Sequence, residues 1–167
     1  GYECKQTPLQ TLALYNAIAN DGVRVKPQFA QAYARNNEVV QILEPQVMQE
    51  QVCTPSTLQH AQRMLEMGCE PEGTAYAAFK SAPYKVAGKT GTAKIYNYDT
   101  RTYYKSRYRA SFAGYFPADD PTYSAIVVIH DPRNGSYYGS SLAAPVFREV
   151  ADRIYTTREE LLRPTET

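Results

Sequence analysis

The sequence contains no tryptophan, only two histidines and three cysteines, and its charges nearly cancel. Each shortage excludes something. Eighteen basic against 17 acidic residues leave a formal net charge of +1, so no bulk electrostatic pull towards nucleic acid or a membrane surface is expected. No apolar run approaches the roughly 20 residues that a membrane-spanning helix needs. No basic-then-apolar leader opens the chain either, and the start at Gly1 reads as mid-domain sequence. His60 and His130 belong to no motif and read as a helix-surface and a strand-end residue. Without a Cys-x-x-Cys pair or a histidine cluster there is no metal-ligand pattern, and no cofactor is expected.

An odd number of cysteines leaves at least one without a partner in the chain. Cys53 and Cys69 flank one expected helix, which sets them about 24 Å apart at 1.5 Å per residue. A disulfide needs Cα atoms within about 7 Å, so a straight helix rules that pair out. Cys4 could pair with either, but free, mostly buried thiols are the simpler reading.

What the chain does have is length for one domain with a core, at 167 residues, and 15 tyrosines, many of them between 96 and 138. Thr7-Pro8 is a helix start, with Thr as N-cap and Pro in the first turn. From Leu9 to Ala19 apolar residues run nearly all round, which predicts a buried helix ended by Asn20-Asp21-Gly22. Val23 to Pro45 alternates around Arg35-Asn36-Asn37-Glu38 and reads as a small hairpin. Thr54-Pro55 starts a second helix, with Leu58, Ala61, Met64 and Leu65 on one face and Gly68 at its end. A turn at Pro71 to Ala75 leads into a short helical piece.

Three strands follow, at Lys85 to Ile95, Arg109 to Phe116 and Tyr123 to His130. The second and third are joined by the proline-bounded turn Pro117 to Pro121, which favours an antiparallel pair. The run Ala125-Ile126-Val127-Val128-Ile129 predicts a strand buried on both faces. Asp131 to Gly135 ends that strand. A last helix from Pro145 to Leu162 carries Val146, Val150 and Ile154 in register to cover one face of the sheet. The fold class is therefore α+β: a three-stranded antiparallel sheet under a C-terminal helix, with a helical N-terminal portion and a small hairpin. The tyrosine-rich stretch 94–108 mixes bases with aromatics, a pattern also used to stack single-stranded nucleic acid. No RNA-binding fingerprint accompanies it. It reads as a long, partly ordered connection beside a cleft, and no nucleic-acid partner is expected.

The most informative segment is Val86-Ala87-Gly88-Lys89-Thr90-Gly91-Thr92-Ala93. Gly88-Lys89-Thr90 could end a phosphate-binding loop of the Walker type, but the glycine required five positions before Gly88 is Pro83, and no helix start follows. As a strand, the segment places Thr90 and Thr92 on one face and Lys89 on the other face or at the rim. Gly91 would let a ligand backbone lie against the strand. A strand edge beside two hydroxyls and a cation suits an extended peptide that ends in a carboxylate.

Lys89-Thr90-Gly91-Thr92 resembles the third active-site motif of the penicillin-recognising serine transpeptidases and β-lactamases. Further segments are similar to one branch of them, in the same order. These are Gly1-Tyr2-Glu3 with Thr7-Pro8-Leu9-Gln10, the stretch from Phe112 to Pro121, Tyr137-Tyr138-Gly139, and Ala143-Ala144-Pro145-Val146-Phe147. Together they resemble the class B penicillin-binding proteins over nearly the whole chain. The turn Phe116-Pro117-Ala118-Asp119-Asp120-Pro121 points to the division-specific (septal) transpeptidase.

The resemblance implies a fold like that of the serine transpeptidases and β-lactamases, and D,D-transpeptidation of peptidoglycan stem peptides through a serine acyl-enzyme. β-Lactam antibiotics would mimic the donor. It places the parent at the outer (periplasmic) face of the cytoplasmic membrane, held by an upstream anchor, among other septal cell-division membrane proteins. Lys89 would order the proton network and attract the donor carboxylate, which Thr90 and Thr92 would bind. The Thr92 N–H would supply one oxyanion donor, a contact worth about 3–4 kcal/mol. Tyr137 and Tyr138 would form an apolar wall over the ligand or simply pack the loop between sheet and helix, and Lys94 would face the donor.

The family also needs a Ser-x-x-Lys nucleophile and a Ser-x-Asn element. Neither occurs here, and the nearest approach, Ser81-Ala82-Pro83-Tyr84-Lys85, has one residue too many. The chain is therefore expected to be the C-terminal portion (1–167) of one transpeptidase domain. The nucleophile and first sheet strands would lie upstream, and the piece would be inactive alone and expose sheet edge and core face. An inactive penicillin-binding sensor or scaffold, and a stand-alone module for cell-wall peptide, remain the alternatives.

Overall fold

A computed structural model describes residues 5–162 apart from 37 and 134. The Gly1-Tyr2-Glu3 segment and Cys4 lie outside the described residues. The first helix, α1 (Pro8–Ala19), carries a full capping box: Gln10 N–H donates to Thr7 Oγ1 at 3.2 Å and Thr7 N–H to Gln10 Oε1 at 2.8 Å. Strand β1 (Arg24–Val25) follows, then the expected hairpin, β2 (Ala32–Arg35) with β3 (Glu38–Ile42). A short β4 (Val47–Gln49), which the sequence pattern did not reveal, returns antiparallel to β1. Helix α2 (Pro55–Met67) starts where Thr57 N–H donates to Thr54 Oγ1 at 3.3 Å, and a single turn, α3 (Tyr76–Phe79), follows.

The main sheet has the order β5-β6-β7 and is antiparallel throughout: β5 (Ala87–Asn97), β6 (Thr102–Phe116), β7 (Tyr123–His130). Helix α4 (Gly139–Leu162) crosses one face. Because side chains alternate across a strand, Phe112 and Phe116 of β6 and Val127 of β7 meet α4, while Ser124 turns to the other face. There Asn16 of α1 donates to Ser124 Oγ at 3.2 Å. The sheet is thus covered on both sides, α4 on one and α1 on the other.

The core lies on the α4 side. Phe112, Phe116 and Phe147 are buried and meet edge to face, with centroids 4.8 to 5.7 Å apart for Phe147 against the other two. Arg148 of α4 clamps the loop before β5, bonding Asp152 at 2.7 Å, Ala78 O at 3.3 Å and Ser81 O at 3.2 Å, while Tyr84 OH donates to Asp152 at 2.6 Å.

Several expectations need correction. Helix α4 starts six residues before Pro145, at Gly139, because its first turns rest on the backbone of β5 and β6. Its buried stripe is Ala143, Ala144, Phe147 and Ala151; Val146 and Val150 are 43% and 42% exposed. Strand β6 begins at Thr102, so most of the 94–108 stretch is a paired two-stranded arm, with a shift of register between Lys94 and Tyr96, rather than a loose connection. β7 is half-buried rather than enclosed, since it is an edge strand. Helix α1 buries only Ala17 completely, with Leu9 40% and Leu14 50% exposed, because the sheet meets just one of its sides. On α2, Met64 is 65% exposed and lies off the face formed by Leu58, Ala61 and Leu65.

Cys53 is half-buried, Cys69 is buried, and both are free. His60 is on the surface of α2 and His130 at the end of β7, as read from the sequence.

Candidate active site

Strand β5 occupies the edge of its sheet, with β6 as its one strand neighbour among the described residues. Alternate residues of such a strand turn their N–H and C=O to the open side. Lys89 pairs with Ala113, Thr90 with Phe112 and Thr92 with Ala110. Thr90 and Thr92 therefore share the α4 face, and Lys89 belongs to the opposite one. Its exposed side chain curls over the edge: Nζ donates to Thr90 O at 3.0 Å and to Thr90 Oγ1 at 3.3 Å. Thr74, a residue the motif did not signal, places its hydroxyl 2.8 Å from that of Thr90. A lysine and two hydroxyls thus converge at one point of the sheet edge.

Two contacts fix that point. At the end of α2, the carbonyl of Gly88 lies where a Cβ on Gly68 would sit, and Cys69 packs below with a hydrogen bond to the Gly88 backbone. Burial pushes the Cys69 thiol up to about 12, so it sits as a neutral, inert group beneath the motif. At the other end, Gly139 N–H donates to Thr92 Oγ1 at 3.1 Å. A Cβ on Gly139 would run into the carbonyls of Ser111 and Gly91, so glycine is what lets α4 begin against the motif strand. The positive end of a 24-residue helix is thereby set beside Thr92 and favours negative charge nearby. Gly91 also has a cause other than the expected one. An added Cβ there would meet Ser111 Oγ on β6, so glycine leaves room for that hydroxyl whatever ligand approaches.

The tyrosines complete the picture. Tyr137 stacks on Tyr108 with centroids 4.1 Å apart and packs against Tyr138 at 4.5 Å. The two hydroxyls of Tyr137 and Tyr138 are 3.2 Å apart, and this hydrogen bond raises the Tyr137 pKa above the usual tyrosine value. Tyr108 is the cross-strand partner of Lys94, which shares the face of Thr90 and Thr92. Lys94 and the Tyr108–Tyr137–Tyr138 group therefore flank the threonines on one side of β5. Tyr108 was hidden in the sequence among many tyrosines; its strand parity was the one signal that could have singled it out.

Among the described residues no cluster of His, Cys, Asp or Glu could hold a metal. A cavity of about 410 Å³ opens elsewhere, between α1 and the 25–31 segment, lined by Leu9, Leu12, Ala13, Pro27 and Phe29. It holds no motif residue.

The family described as "Penicillin binding protein transpeptidase domain" matches residues 1–152. The peptidoglycan D,D-transpeptidase FtsI of Escherichia coli K12 is 34% identical over 158 residues, 94% of this chain and 24% of that protein. The penicillin-binding protein PbpB of Mycolicibacterium smegmatis is 33% identical, covering 98% of this chain and 26% of its own length. The chain thus spans about a quarter of these curated relatives. The crystal structure of penicillin-binding protein 3 from Mycobacterium tuberculosis superimposes with a TM-score of 0.75 at 34% identity, covering 95% of this chain and 37% of that one. The same protein complexed with ampicillin gives a TM-score of 0.74 at 31% identity, with 97% and 36% covered. Built around a Lys-Thr-Gly-Thr strand at an open sheet edge, this chain belongs to the penicillin-binding protein transpeptidase-domain family.

Proposed function

We propose that the chain is the C-terminal portion of the transpeptidase domain of a class B, division-specific penicillin-binding protein. Such an enzyme cross-links peptidoglycan stem peptides through a serine acyl-enzyme and is acylated by β-lactams. The observation that carries this reading is Lys89 reaching over the open edge of β5 to Thr90, with Thr92 on the same face two residues on and bonded by the start of α4.

Each residue then has a task. Thr90 and Thr92 hydrogen-bond the donor carboxylate, with the Lys89 ammonium and the helix start supplying positive potential. The Thr92 N–H points to the oxyanion that forms as serine attacks the penultimate carbonyl, and Lys89 orders the proton network around that serine. Tyr137 and Tyr138, braced by Tyr108, wall the ligand on its apolar side, and Lys94 faces the donor peptide. The nucleophile, its lysine and the Ser-x-Asn element come from sequence preceding this chain. The 167 residues alone therefore neither acylate nor turn over substrate. The parent works at the outer face of the cytoplasmic membrane, on an anchor outside this chain, together with other septal division proteins. No helix among the described residues is long and apolar enough to cross a membrane.

The test is acylation of the full-length product of this reading frame by a fluorescent penicillin. Wild type is expected to label stoichiometrically, and Lys89→Ala to lower the acylation rate at least about 100-fold, in the range seen when transition-state electrostatics are removed. No labelling of the wild type, or an unaffected Lys89→Ala, would sink the reading. Labelling without turnover of a stem-peptide donor would identify a penicillin-binding sensor or scaffold.

A further inference from the structure

The arm formed by β5 and β6 continues past the sheet. β7 pairs with β6 only from Arg109 onward, whereas β5 and β6 stay paired to Asn97 and Thr102. The tip is ordered rather than loose: Asn97 Oδ1 accepts from Asp99 N–H at 2.9 Å and from Thr100 N–H at 3.4 Å. Three tyrosines are gathered there. Tyr96 meets Tyr98 and Tyr103 edge to face, at 5.1 and 5.2 Å between centroids. Tyr98 is 71% exposed and Tyr103 42% exposed, with Lys5 Nζ 5.2 Å from the Tyr98 ring. Nothing in the peptide-binding reading uses them.

We infer that this aromatic tip is a binding platform for the sugar backbone that carries the donor peptide. The inference rests on the proposed peptide seat, which sets both direction and distance. With the terminal carboxylate at Thr90 and the preceding carbonyl at the Thr92 N–H, the rest of the donor runs towards Lys94 and the arm. For a five-residue stem, three more residues and the ether link to the sugar span about 13 Å when extended. Four residues of β5 cover the same length at about 3.3 Å each, which brings the sugar opposite Tyr96. Pyranose rings present C–H faces that pack on the electron-rich face of an aromatic ring, and phenol hydroxyls bond the sugar hydroxyl and N-acetyl groups. Exposed tyrosines on a pre-ordered hairpin are suited to this, because little side-chain freedom is lost on contact.

Two donors with the same stem peptide, one free and one attached to its disaccharide, separate the possibilities in the full-length protein. Wild type is expected to show kcat/KM about 10-fold higher for the disaccharide donor. Tyr98→Ala, and more completely Tyr98→Ala with Tyr103→Ala, should remove that advantage, while Tyr98→Phe, which keeps the ring face and loses one hydroxyl, retains a part of it. Penicillin acylation, which involves no sugar, should be alike in all four proteins. Equal kcat/KM for the two donors in wild type, or an advantage that survives the double substitution, overturns the inference and leaves the peptide seat standing. A wild type that penicillin does not acylate overturns the peptide seat and the platform together.

Discussion

The two ends of this chain are built to different standards. From α3 to α4, the large side chains Phe112, Tyr115, Phe116 and Phe147 are at most 1% exposed. From Phe29 to β4, the large apolar side chains stand mostly in solvent: Phe29 is 89% exposed, Val40 and Ile42 68% each, and Met48 56%. Composition does not separate the regions, since both carry apolar residues in regular patterns. The difference lies in what each pattern finds opposite it. The three-stranded sheet has a helix across its core face, so each apolar side chain meets another. The β2–β3 hairpin is a two-stranded sheet with no layer packed on it among the described residues, an arrangement that alone is marginal in water.

That contrast can be broken or sharpened, and the largest effect is expected at its packed end. Phe112→Ala should cost about 3–5 kcal/mol, the range for emptying an aromatic site in a closed core, read from the midpoint of urea unfolding. Gly139→Ala comes next. Its methyl would press the start of α4 off the backbone of Ser111 and Gly91, for about 1–3 kcal/mol, the range for overpacking. Amide exchange should locate the disturbance at Thr92.

A third test uses pH. The Cys69 thiol is raised by burial from 9.0 to about 12, so the folded state favours the neutral form. Its contribution is fully present below pH 9 and is lost as pH climbs from 9 towards 12. Tyr115 is likewise raised from 10.0 to about 12 by burial and adds to the loss only above pH 10. Stability measured between pH 9 and 10 should therefore fall more steeply in wild type than in Cys69→Ala. Parallel curves would mean that the thiol is less enclosed than its position under Gly88 requires.

The smallest effect belongs to the open end. Ile42→Ala should change stability by less than about 0.5 kcal/mol in this chain, as for other exposed positions. A cost above 1 kcal/mol would show that the hairpin is covered in solution and would erase the contrast. The same substitution in the full-length protein would then reveal whether more sequence supplies the missing layer.

Local chemistry was the legible part. The Thr-Pro starts of α1 and α2, the Asn-Asp-Gly stop after α1, the turn from Pro117 to Pro121 and the parity of Thr90 and Thr92 all follow from preferences acting within a few residues. Where a distant backbone intervened, the sequence pattern misled. Gly139-Ser140-Ser141 is poor helix-forming sequence and Pro145 looks like a first-turn residue, yet α4 begins at Gly139 because the sheet accepts it there. Val146 and Val150 are spaced like a buried stripe, but the bulk of Phe147 and the small alanines around it suit the sheet better. Tyr108 and Thr74 joined the candidate site through strand register and a returning turn, and neither has a signature of its own.

The sequence by itself therefore determined most of the elements and the motif strand, since capping, turn chemistry and a period of two are short-range properties, and its motifs carried the family resemblance. Only the tertiary structure decided which face of each element is covered. It also decided that α4 begins on Thr92, that Lys89 reaches over the strand edge to Thr90, and that three tyrosines stand together at the end of the β5–β6 arm. Those outcomes depend on close approach of backbones far apart in the chain, which small residues such as Gly139 and Gly68 permit without announcing the partner they meet.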